Sequence, residues 1–180
     1  MKCFKYIPII LMSAVLLAAC NKEPHTDAGL PEYEHHYYSI FVPNNNTGIT
    51  VPRSQTALVK FPVQFYSTFT REYDAVCKYA VARFIDPVTT PPTPAHVPAV
   101  RGVDYEVVDK NGTVLSPVSD STFTLTFPKA VQAMDTIYLK MLNNTAPGVR
   151  KFEIHILENI TTQFTVDKFS TAFRRPVTIN

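Results

Sequence analysis

The sequence predicts an all-β domain, with two antiparallel sheets packed face to face. Three observations carry this. Apolar and polar residues alternate with a period of two in segment after segment. Turn formers, fifteen prolines among them, interrupt the chain at short intervals. No long stretch shows the period of an amphipathic helix. At 180 residues, 46% hydrophobic and 18% charged, the chain can bury one ordinary core. A net charge of +2 with no basic stripe argues against a nucleic-acid partner.

The N-terminus reads as an export address. Lys2 and Lys5 precede Tyr6–Ala19, an apolar run without a charge. That run is too short to span a bilayer core comfortably and suits a secretory signal. It ends Leu17-Ala18-Ala19-Cys20, which resembles the lipobox of bacterial lipoproteins. The resemblance implies cleavage before Cys20 and lipid attachment to its thiol, with several acyl chains giving stable membrane anchoring. Cleavage would remove Lys2, Lys5 and Cys3, leaving fifteen basic residues against fifteen acidic ones. With Cys20 lipidated, Cys77 alone remains, so no intramolecular disulfide is expected. Asn21 follows Cys20, so the aspartate of inner-membrane retention is absent. Lys22-Glu23 resembles the charged export signal of surface lipoproteins in Bacteroidota. The expected division is a signal peptide over 1–19, a lipidated cysteine and polar tether over 20–36, and one domain over 37–180.

Strand patterns fill that domain. Tyr37–Val42 is the first. Leu58–Tyr66 places Val59, Phe61, Val63 and Phe65 on one face. Its Pro62 lacks a ladder donor, which predicts an edge or bulged strand. Ala75–Ile85 is apolar on both faces, as a central strand would be, and Cys77 within it reads as an inert buried thiol. Pro87–Pro98 holds five prolines and reads as a stiff loop. Gly102-Val103-Asp104-Tyr105 opens the next strand, and Asn111-Gly112 suits a type I′ hairpin turn. Phe123–Phe127, Ile137–Met141 and Phe152–Ile156 alternate cleanly. Pro128–Met134 could form one helical turn. Phe173–Ile179 contains Pro176 and reads as another edge. About eight strands with such alternation point to a sandwich of the immunoglobulin type.

Gly102-Val103-Asp104-Tyr105, Phe123–Phe127 and Asp135-Thr136-Ile137-Tyr138-Leu139 together resemble the Calx-beta pattern. With the lipobox, the chain is similar to small Bacteroidota lipoproteins carrying a Calx-beta-like or immunoglobulin-like domain. Calcium-binding members of that family carry an acidic run after the Thr-Ile strand. This sequence has Asn143-Asn144-Thr145-Ala146-Pro147-Gly148-Val149-Arg150-Lys151 there. Calcium wants about six to eight hard oxygens, several from carboxylates. Only Asp104, Glu153 and Glu158 remain in the neighbourhood, so no calcium, metal or other cofactor is expected.

Glu32, Glu34, His35 and His36 form the densest group of potential metal ligands, but adjacent residues of a strand face opposite ways. No HExxH, CxxC, GxSxG, P-loop or dinucleotide fingerprint appears. Three functions follow as expectations. The first is a non-catalytic, lipid-anchored interaction or scaffold module of the cell envelope, at the outer membrane, with an envelope protein or a glycan as partner. The second narrows this to a surface glycan binder serving polysaccharide uptake. Its candidate contact residues are Tyr37, Tyr38, Tyr66 and Tyr138, since sugar sites pair an aromatic face with polar groups; the lack of Trp weighs against it. The third is an enzyme on a sandwich scaffold, which would need Asp104, Glu106, Glu153 or Glu158 to be paired by folding.

Overall fold

The computed structural model describes residues 35–83, 96–169 and 171–180. Cys20, the tether up to Glu34 and most of the proline-rich loop lie outside the described residues. Twelve strands are seen among them: β1 (His36–Phe41), β2 (Ile49–Val51), β3 (Val59–Tyr66), β4 (Ala75–Arg83), β5 (Val97–Pro98), β6 (Tyr105–Val108), β7 (Thr122–Phe127), β8 (Ala133–Met141), β9 (Arg150–Leu157), β10 (Asn159–Ile160), β11 (Thr165–Lys168) and β12 (Arg174–Ile179). One short 3₁₀ turn, Pro128–Ala130, stands where a helical turn was expected. The strands form two sheets. The first runs β10-β11-β1-β3-β8-β6 and the second β2-β12-β9-β4-β7. Strand β5 continues the second sheet where β4 stops, pairing with Arg150 and Lys151 just past the Arg83–Phe152 rung.

The period-two pattern explains the layers. Val59, Phe61, Val63 and Phe65 of β3 are buried, as are Cys77, Tyr79 and Val81 of β4. Their partners from β7, β8 and β9 are Phe123, Phe127, Ile137, Leu139, Phe152 and Ile154. Two stacked aromatic pairs cross between the sheets. Phe65 of β3 lies on Phe127 of β7 at 4.5 Å between ring centroids, and Tyr105 of β6 lies on Phe152 of β9 at 4.2 Å. Both are offset-stacking distances, worth about 0.5–1.5 kcal/mol each beyond the area they bury.

Pairing is mostly antiparallel, as expected, but three pairs run parallel: β1 with β11, β2 with β12, and β5 with β9. The chain leaves β1 in the first sheet and joins the second at β2, so each of these short strands meets a late strand in the same direction. Arg175 holds the crossing. It is 5% exposed, its guanidinium lies 4.8 Å from the Phe41 ring centroid, and it donates to the Pro43 carbonyl.

Pro62 corrects an expectation. Strand β3 is not at an edge, because β1 and β8 flank it. The Pro62 carbonyl accepts from Val42 N at 2.9 Å, and β1 ends at Phe41. The missing N–H therefore falls on the last rung of the β1–β3 ladder, where it costs one bond and ends the pairing. Pro176 behaves similarly. The Ile156 N to Phe173 O bond sets the rung phase, which leaves Pro176 on a non-bonded rung with β9 and just before the residues paired to β2. Strand β12 is thus an edge only at its start.

The hairpin after β6 also differs. Positive φ falls on Gly112 (86°) and not on Asn111, so the two-residue type I′ turn is excluded. Asp109 explains this, since its Oδ1 accepts from both Asn111 N and Thr113 N. That carboxylate stabilises a wider loop, with glycine supplying the one left-handed residue.

Leu139 of β8 is fully buried, whereas Met134 on the same strand is 57% exposed. Leu139→Ala should lower the unfolding free energy by about 2–5 kcal/mol, and Met134→Ala by less than about 0.5 kcal/mol, in urea titrations.

Candidate functional site

The loop that would carry calcium in the resembled family is built differently here. Gly102–Asp104 forms a turn and not a strand opening: Asp104 N donates to Val100 O at 2.8 Å, and Gly102 has φ 81°. The Asp104 side chain is 4% exposed. Its Oδ2 accepts from Val100 N at 2.7 Å, its Oδ1 accepts from Asn144 Nδ2 at 2.7 Å, and Arg150 Nε lies 3.6 Å from Oδ1. Arg53 takes the loop's carbonyls. Its guanidinium donates to Asn144 O at 2.8 Å, to Ala146 O at 2.5 Å and to Gly148 O at 2.9 Å. Two guanidinium groups therefore occupy the acceptors a hard cation would need. These residues do not fit calcium.

The remaining carboxylates are drawn to separate partners. Arg101 Nε lies 3.2 Å from Glu106 Oε2. Glu153 Oε2 lies 2.6 Å from His155 Nε2, and its Oε1 lies 3.9 Å from Arg174 Nη1. Glu158 is exposed. Asp104, Glu106 and Glu153 thus each have a basic partner of their own. His35 and His36 face opposite ways, as expected. His35 Nδ1 meets the Tyr73 hydroxyl at 2.6 Å, while His36 stacks on Tyr38 at 5.0 Å and sits 3.7 Å from Asp167. Glu32 and Glu34 lie outside the described residues. No group of three or more potential metal ligands occurs among the described residues.

The four tyrosines named from the sequence divide three ways. Tyr37 is corrected: it is 2% exposed, packs on Phe65 at 5.2 Å, and its hydroxyl bonds Tyr73 at 2.7 Å. It belongs to the core and offers no surface. The register explains this, since Tyr37 shares a face with the buried Phe41. Tyr38 and Tyr66 come together on the opposite face as paired residues of β1 and β3. Phe169, just past β11, closes the group at 5.5 Å from Tyr38 and 6.5 Å from Tyr66. Tyr66 is 43% exposed and Phe169 59%. With the half-buried rings of His36 and Tyr38, the exposed Tyr66 and Phe169 form an aromatic strip. Sequence reasoning missed Phe169 because no alternation marks the short strand before it. Tyr138 stands apart, half-buried beside an open cleft at the other edge of the first sheet.

No protein-family model matches this chain, and no curated protein matches it. Among solved structures, the apo form of the Calx CBD1 domain is similar, at 14% identity and a TM-score of 0.47, over 79% of this chain and 95% of that one. The Calx CBD2 domain is similar at 13% identity and a TM-score of 0.47, over 79% and 85%. A type I cohesin from a cohesin–dockerin complex of Clostridium thermocellum follows at 9% identity and a TM-score of 0.32, over 81% and 99%.

Two predictions follow from this chemistry. Arg53→Ala should destabilise the domain by about 1–3 kcal/mol and speed amide exchange across Asn144–Gly148, while millimolar calcium should leave the wild-type melting temperature unchanged. A calcium-induced rise of several degrees would refute the second half. Cys77 is fully buried, and burial pushes its thiol up to about 11. At pH 8 only about one thiol in a thousand would be ionised, so a disulfide reagent should label it only on unfolding.

Proposed function

We propose that the chain is a non-catalytic, lipid-anchored interaction module of the bacterial cell envelope, held at the outer membrane through Cys20. The export run, the small residues before Cys20 and the polar spacer support the anchor. The aromatic strip of Tyr38, Tyr66 and Phe169 carries the interaction reading. Contiguous exposed rings cost free energy in water, and such patches mark contact surfaces. Aromatic residues are also enriched at the anchoring positions of interfaces. The two strip strands lie within one sheet, so the surface is presented without needing a conformational change.

A second reading, capture of surface glycans, is favoured by the same rings. Tyrosine faces cover the apolar side of a pyranose while neighbouring polar groups take its hydroxyls. Asp167, 3.7 Å from His36 of the strip, is placed to fill that part.

Metabolic labelling with palmitate should mark the wild-type chain and not Cys20→Ser; equal labelling of both would defeat the anchor. For the contact surface, a photo-crosslinking amino acid at position 66 should give a discrete adduct in intact cells. The same group at exposed position 54 should not. Equal or absent adducts at both positions would count against the strip.

A further inference from the structure

The cleft beside Tyr138 is a separate feature from the strip. It arises from unequal strand lengths. Strand β6 pairs with β8 only from Tyr138 to Met141, so among the described residues Ala133–Ile137 of β8 has no strand on that side. The second sheet ends nearby at β7. The uncovered length leaves an open cleft of about 320 Å³, lined by Tyr79, Asp109, Lys110, Thr124, Asp135 and Tyr138 among others. That volume is at the small end of the range of about 300–1,000 Å³ for ligand sites, the scale of one ring and not of a peptide.

Tyr79 gives the cleft its chemistry. It is 1% exposed, packed against Phe123, and lines the cleft. No hydrogen-bond partner for its hydroxyl occurs among the described residues. Its hydroxyl is nevertheless not among the buried polar atoms that lack a partner, so it is not sealed off and unpaired. Asp135 is close enough that its charge, after burial, helps hold the Tyr79 hydroxyl above its ordinary pKa. Asp135 Oδ1 accepts from Thr136 N at 2.7 Å, which leaves Oδ2 for another donor. Asp109 likewise commits Oδ1 to its own turn. Lys110 and Thr124 also line the cleft.

We propose that this cleft is a binding subsite for a single neutral pyranose. The Tyr138 ring covers the C–H face of the sugar, Asp135 Oδ2 accepts from one of its hydroxyls, and Tyr79 donates to an oxygen of the ring. Two carboxylates at the wall disfavour an anionic ligand, while the alternating donors and acceptors match vicinal hydroxyls. The site lies outside the aromatic strip and needs neither the strip nor the lipid anchor.

The test is saturation-transfer NMR on the full chain, in a detergent without a sugar headgroup. The probes are free glucose, galactose, mannose, N-acetylglucosamine, rhamnose and fucose at millimolar concentration. At least one should show transfer. Tyr79→Phe, which keeps the ring packing, and Asp135→Asn, at an exposed position, should each weaken its binding at least tenfold. The Tyr38→Ala, Tyr66→Ala double variant should bind as wild type. Unchanged melting temperatures in Tyr79→Phe and Asp135→Asn separate lost contacts from lost fold. No transfer from any of the six sugars would overturn the proposal. So would binding that survives both cleft variants. Binding lost only in the Tyr38, Tyr66 variant would move the sugar to the strip and also overturn the cleft, while leaving the interaction reading intact.

Discussion

Two aromatic stacks tie one sheet to the other, and the remaining structure is arranged around them. Phe65 on Phe127 joins β3 to β7, and Tyr105 on Phe152 joins β6 to β9. Each pair takes one ring from each sheet, so neither sheet can slide without unstacking them. The first stack continues through Tyr37 to Phe164 and Tyr73. A chain with twelve Phe, nine Tyr and no Trp thus uses flat, medium-sized rings to set the spacing of its layers.

That constraint decides what is left for the surface. With Tyr37 committed inward, Tyr38 must point outward, and its cross-strand partner Tyr66 goes with it. The aromatic strip is thus the outer counterpart of the inner stack. The loop after β8 is settled by charge instead. Arg53 and Arg150 neutralise and fill the acceptors around Asp104 and Asn144, converting a potential cation site into a clamp between distant segments. Guanidinium groups are suited to this because they present several donors in a fixed plane.

Much of the fold was legible because strand alternation is a local signal. The buried faces of β3, β7, β8 and β9 follow directly from it. Strands β2, β5, β10 and β11 were not legible, since two to four residues cannot establish a period. Pro62 misled because proline was read as a property of the strand, when what matters is which rung its nitrogen meets. Asn111-Gly112 misled because the turn type was set by Asp109, two residues earlier. In the site, tyrosine positions were visible but their sides were not all assigned: Tyr37 was buried, and Phe169 entered from a segment without a pattern. The Arg53 clamp spans ninety-one residues or more in sequence, beyond the reach of any local motif.

The claim at the centre of this account is that cross-sheet stacking couples the two layers. A double-mutant cycle on Phe65→Leu and Phe127→Leu, read by urea unfolding, measures that coupling directly. The account predicts a coupling energy of about 0.5–1.5 kcal/mol beyond the single effects. Strict additivity of the two substitutions would contradict it.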